Sequence, residues 1–173
     1  MRYVFIAVLG IVSLLLCGSF FGIATIAGLV PDLILLIGLS LALNEKSIVP
    51  LLFVIIFGLL FDDLFSPVLG GNAFSYAVSI ALVMLVTRKA DTLRLWSPAL
   101  IGFIAYVVKE IILAVIVFAL GNRFDLGYMM YRFILPGALL TAGIMIPMYY
   151  LFHWLYTFPW MKQRRVFKDE YDL

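Results

Sequence analysis

The stretch Gly58-Leu59-Leu60-Phe61-Asp62-Asp63-Leu64-Phe65-Ser66-Pro67-Val68-Leu69-Gly70-Gly71-Asn72-Ala73 decides how this chain is read. Two adjacent carboxylates end one apolar run, a Pro/Gly turn follows, and a second apolar run begins. In a water-soluble protein this would be an ordinary loop. Here 65% of the 173 residues are hydrophobic, only 13% are charged, and the mean hydropathy is +1.16. That apolar share exceeds what a soluble domain carries. The sequence therefore predicts lipid as the solvent, where a carboxylate beside a helix end is costly without a structural or functional reason.

Working outward, most charges fall in punctuating clusters: Glu45/Lys46, Asp62/Asp63, Arg88 to Arg94, Arg123/Asp125/Arg132 and the tail from Lys162. A helix crossing ~30 Å of hydrocarbon needs about 20 residues. The runs between clusters predict an all-α, polytopic integral membrane protein with six transmembrane helices at 3–21, 26–43, 48–62, 71–87, 97–120 and 133–158. The second is interrupted by Pro31-Asp32 and the third is short, so both need protein neighbours to cover irregular backbone. One six-helix transmembrane domain, 1–161, is followed by a short charged tail, 162–173. With the N-terminus inside, Arg2, Lys46, Arg88, Lys89, Arg94, Lys162, Arg164, Arg165 and Lys168 are cytoplasmic, against Arg123 and Arg132 outside. That asymmetry predicts both termini in the cytoplasm. The aromatic run from Tyr149 to Trp160 before the basic tail fits an interfacial belt. The first run is longer than the ~7–15 residues of a signal-peptide core and reads as a retained anchor. Cys17 is the single cysteine, so no intramolecular disulfide is possible. No basic-aromatic surface for nucleic acid is evident.

Catalytic chemistry needs nucleophiles, bases or metal ligands, and the sequence is poor in sets of them. The single histidine, His153, sits among interfacial aromatics. There is no Gly-rich phosphate loop and no metal-ligand spacing. Asp62 and Asp63 are helix neighbours whose side chains diverge, so they cannot alone form an aspartyl dyad. The chain reads as non-enzymatic, with no cofactor and no metal.

Lys109 and Glu110 lie at the centre of the fifth run, where a charge costs roughly 2.5–3.5 kcal/mol on insertion scales. They point to different sides of a helix, toward separate partners or a shared polar cavity. An ion or substrate path competes with a structural ion pair or subunit contact, and the structural reading is favoured because no other span carries a mid-membrane charge. Ala73, Ala77 and Ala81, with Ser75 and Ser79 beside them, and Gly18 with Gly22, form small-residue ridges that allow close helix approach within the bundle or to a partner helix.

These residues carry a resemblance. Pro31-Asp32-Leu33 before an apolar run, the polar turn Asn44-Glu45-Lys46, and Gly58, Asp62, Leu64, Leu69-Gly70 and Ala73 in order resemble the rod shape-determining protein MreD family. Glu110 matches an acidic residue often found in that family's fifth span, and Pro147 a proline in its last. The chain departs from the pattern at Asp63 and Lys109. The resemblance implies a non-enzymatic scaffold of the bacterial cell-elongation complex in the cytoplasmic (inner) membrane. It implies binding to an MreC-like bitopic protein, with indirect links to MreB, a RodA-type polymerase and a class B penicillin-binding protein. Membrane lipids are the other partners. Candidate structural or partner-binding positions are Pro31, Asp32, Gly58, Asp62, Gly70, Ala73, Ala77, Ala81, Lys109, Glu110, Arg123 and Arg132. The family is similar in fold to the substrate-binding components of energy-coupling-factor transporters, so a vitamin-binding membrane subunit is the alternative. For that reading, Asp32, Asp62, Asp63, Arg123 and Arg132 would floor an outer pocket.

Overall fold

The computed structural model describes residues 2–23, 31–45, 47–66, 68–87, 97–121 and 126–157, and all regular structure among them is helical. In chain order the helices are α1 (Arg2–Ile23), α2 (Leu33–Asn44), α3 (Val49–Phe65), α4 (Gly71–Thr87), α5 (Ser97–Ala119), α6 (Leu126–Met129) and α7 (Leu135–Leu155). A π-helical turn, Met130–Ile134, joins α6 to α7 without a break. Arg123, Asp125 and the basic residues of 88–94 and 162–168 lie outside the described residues.

The helix that organises the bundle is α2. Its sequence is apolar all round, and a helix without a polar face must be buried. Every residue from Ile34 to Ala42 is buried, and α1, α3, α4, α5 and α7 all pack on it. Only 12 residues long, it spans ~18 Å at the α-helical rise, short of the ~30 Å that a membrane core requires. The helix begins at Leu33, later than the run from residue 26 predicts, because Pro31 lacks an N–H to carry a helix backward and Asp32 caps it. The Asp32 carboxylate accepts the Leu35 N–H at 3.2 Å, satisfying an otherwise orphan donor of the first turn.

At the third run the structure also differs from expectation. Helix α3 continues through Asp62 and Asp63 to Phe65, so the carboxylates sit in its last turn instead of ending it. Pro50 opens the helix where a missing N–H costs nothing. The connection to α4 turns at Gly70, whose φ of +81° lies where residues with a Cβ are strained. The α3–α4 pair then packs so closely that a Cβ on Gly58 would lie 2.8 Å from the Ala73 Cα. On α4 the inward stripe is Asn72, Ser75, Tyr76, Ser79, Ile80 and Val83. Ala77 and Ala81 are only partly buried and flank that stripe.

The last helical rod starts earlier than residue 133. Pro136 cannot donate a backbone hydrogen bond and crowds the carbonyl four residues before it; the widened turn just ahead absorbs that conflict, with the Leu135 N–H bonded to the Met130 carbonyl. Two helices are long and apolar enough to cross a membrane, Pro98–Ala119 and Gly127–Leu155. Tyr3–Gly18, Leu33–Asn44 and Gly71–Thr87 are apolar but shorter. The outward face of α5 carries Leu100, Ile104, Ile111, Val115 and Phe118, all exposed. An apolar surface that extensive is unusual on a soluble monomer.

Candidate functional site

Buried polar groups must find partners, and following those of α2 leads to the candidate site. Asp32 enters as the cap of α2 and meets α4 and α5 at the same point. Tyr76 of α4, 1% exposed, donates its hydroxyl to the Asp32 carboxylate at 2.8–2.9 Å. Lys109, midway along α5 and 6% exposed, places its Nζ 3.2 Å from Asp32 Oδ2 and 2.8 Å from Glu110 Oε1. The same ammonium lies 5.3 Å from the centroid of the Tyr76 ring and 5.6 Å from that of Tyr106, within cation–π range. Tyr106 in turn is held over Gly137 of α7, where any Cβ would collide with its ring.

Of the two alternatives for Lys109 and Glu110, the structure has the shared polar cavity: both line one pocket, and the flexible lysine stem lets Nζ fold back onto the next residue's carboxylate. One expectation is corrected, that they are the interior's only charges. Asp32 joins them from the capped start of α2, which meets the middle of α5. The three charges, with Cys17, Pro31, Phe61, Asn72 and both tyrosines, line a pocket of about 220 Å³.

Asp62 forms a second, separate knot. It is fully buried, and its two oxygens accept the Asn72 N–H at 3.3 Å, the Asn72 side-chain amide at 2.8 Å and the Ala73 N–H at 3.0 Å. The two backbone N–H groups are orphan donors of the first turn of α4, so a carboxylate from α3 caps the next helix and meets the positive end of its dipole. Asp63, one residue on, is exposed. The helical phase that separates their side chains gives the two carboxylates opposite environments.

At the far end of α2 lies a third polar group that the sequence reading treats only as a turn. Glu45 is buried; Ser47 donates to one of its oxygens and the Tyr156 hydroxyl to the other at 2.7 Å. His153 Nδ1 lies 3.3 Å from the Asn44 side-chain oxygen. These contacts tie the end of α2 to the end of α7.

Of the candidate residues, Pro31, Asp32, Lys109 and Glu110 come together, Gly58, Asp62 and Ala73 meet at the α3–α4 contact with Gly70 in the turn, and Ala77 and Ala81 lie apart from both. Arg132 is exposed in the π-helical turn, and Arg123 lies outside the described residues. Tyr76, Asn72, Tyr106 and Glu45 are not among the candidates that the sequence offers. Tyr76 and Asn72 share the inward stripe of α4 with Ser75 and Ser79, and that polar stripe in an apolar helix is the signal that could have found them. No group of three or more His, Cys, Asp or Glu residues spaced to hold a metal occurs among the described residues. Comparison with family models, curated proteins and solved structures gives no match for this chain.

Proposed function

We propose that the chain is a multi-pass protein of the bacterial inner membrane and a non-enzymatic scaffold of the cell-elongation complex, binding an MreC-like bitopic partner. The observation that carries this reading is the work done by the residues of the MreD resemblance. Asp32 and Asp62 spend their carboxylates on helix caps and internal bonds, while Gly58 and Ala73 let α3 and α4 touch. The motif maintains a shape, and a scaffold needs shape more than reactivity. The apolar outer face of α5 suits lipid tails or another protein's transmembrane helix, where packing in the absence of a hydrophobic drive relies on complementary surfaces. Six spans with cytoplasmic ends follow from the basic-residue asymmetry; α2 then dips among its neighbours, which cover its ends. Links to MreB, the RodA-type polymerase and the class B penicillin-binding protein rest on the resemblance and pass through the bitopic partner.

The polar pocket favours one further reading, a vitamin-binding subunit of an energy-coupling-factor type transporter. Its volume of about 220 Å³ falls below the roughly 300–1,000 Å³ usual for drug-sized ligands, so the scaffold is preferred. Co-purification in mild detergent tests the choice. A stable complex with an MreC-like protein, without added vitamin or ATPase subunits and weakened by Ala77→Leu or by charge reversal at Arg123 and Arg132, supports the scaffold. Capture of transporter ATPases with a bound vitamin overturns it.

A further inference from the structure

Helices α4 and α5 leave between them an open groove of about 300 Å³, which shares no lining residue with the polar pocket. Ser79, Val83 and Ala105 are buried and form its floor; Leu82, Val86 and Ile104 are exposed and form its rim. Only Ser79 and Thr87 in the lining carry polar side chains, and each spends its hydroxyl donor on its own helix. Ser79 donates to the Ser75 carbonyl and Thr87 to the Val83 carbonyl, both at 2.8 Å. With no charge in the lining and both donors committed, the groove suits hydrocarbon better than a polar ligand.

Dimensions choose among apolar occupants. One wall runs from Ser79 to Thr87, about 12 Å at the helical rise. A volume of about 300 Å³ over that length leaves a section of about 25 Å², or about 5 Å across. A helix with its side chains is about 10–12 Å wide, and it seats closely only where small residues let backbones approach. Here the small residues lie beneath a rim of Leu82, Val86 and Ile104. A single file of methylenes, whose carbons pack about 4 Å from their neighbours, fits the section. The groove also has a charged end. Val86 and Thr87 finish α4 and Ile101 lies near the start of α5, so this is the end at which residues 88–96 join the two helices. That connection carries Arg88, Lys89 and Arg94 against Asp91, and basic segments beside a membrane attract anionic headgroups. We propose that the α4–α5 groove holds one acyl chain of an anionic phospholipid, its headgroup at the joined ends of the two helices. The inference rests on the membrane placement of the scaffold reading and not on its partner. The cytoplasmic side which that reading gives to 88–94 is the one whose leaflet is rich in anionic lipid.

The full-length chain in mild detergent is incubated with phosphatidylglycerol or phosphatidylcholine of the same acyl chains, and retained lipid and oligomeric state are read by native mass spectrometry. One phosphatidylglycerol per chain is expected, retained about tenfold better than phosphatidylcholine, the advantage of one or two basic residues near an anionic headgroup. Val108→Phe, which puts a ring into the groove, lowers that retention to the phosphatidylcholine level. Leu139→Phe, on an exposed position of α7 outside the lining, leaves it unchanged. Leu82→Trp fills the groove from its rim and decides the matter should Val108→Phe fail to melt cooperatively. Equal retention of the two lipids, no retained lipid, or equal losses in Val108→Phe and Leu139→Phe overturn the proposal. Undiminished retention in a groove-filling variant that melts like the parent overturns it as well. A lipid-free dimer that Val108→Phe breaks also overturns it and assigns the groove to a second copy of the chain. Flotation with vesicles of each lipid tests the membrane placement separately. A chain that floats with the vesicles yet retains no lipid contradicts the groove alone, and one that floats with neither contradicts the membrane placement too.

Discussion

Asp62, fully buried, and Asp32, partly buried, are both carboxylates that cap helices, yet they are stabilised in opposite ways. Asp62 is surrounded by neutral donors, the amides of Asn72 and Ala73, and forms a closed knot within one helical hairpin. Asp32 joins three helices through a cation and a hydroxyl, and its knot opens on a pocket. The difference teaches what a missing partner costs. Removing Asp62 leaves neutral N–H groups short of acceptors; removing Asp32 leaves Lys109 with Glu110 alone and the Tyr76 hydroxyl and first turn of α2 without their acceptor.

That contrast predicts a ranking. Asp32→Ala has the largest effect, a loss of about 3–4 kcal/mol, because it removes one partner of a buried ion pair, the acceptor of the buried Tyr76 hydroxyl and the cap of the central helix. Asp62→Asn follows at about 1.5–3 kcal/mol, the range for a hydrogen bond to a charged group. Both are read from reversible unfolding in mild detergent, and an Asp62 effect exceeding that of Asp32 would reverse the comparison. Glu110→Gln costs about 1 kcal/mol or less, since Lys109 keeps Asp32 and the Gln side chain still accepts a hydrogen bond. Asp63→Asn, on an exposed position, stays within about 0.5 kcal/mol.

The neighbouring carboxylates also show what could be read in advance. Hydropathy alone marks out the six apolar runs, and the all-helical architecture follows from their lengths. Lys109 and Glu110 stand out as charges in an apolar run without any knowledge of the fold. Their partner does not, because Asp32 lies in a different helix and its depth depends on α2 being a short core helix. A run of apolar residues reads the same whether it crosses a membrane or is buried by five neighbours. Likewise Tyr76 and Asn72 look like ordinary members of an apolar helix until the phase of α4 turns them inward. The pairing of Glu45 with Tyr156 brings together the ends of two helices, α2 and α7, that only tertiary packing relates.

The ion pair between Asp32 and Lys109 is the point on which the account turns, since it fixes α2 against α5 and sets the charge of the pocket. A double-mutant cycle with Asp32→Asn and Lys109→Met, followed by unfolding in mild detergent, measures it directly. The account predicts that the double variant is more stable than the summed single losses imply, with a coupling of about 1–3 kcal/mol, the usual range for residues in one network. Losses that add to within about 0.5 kcal/mol, as independent sites do, would contradict it.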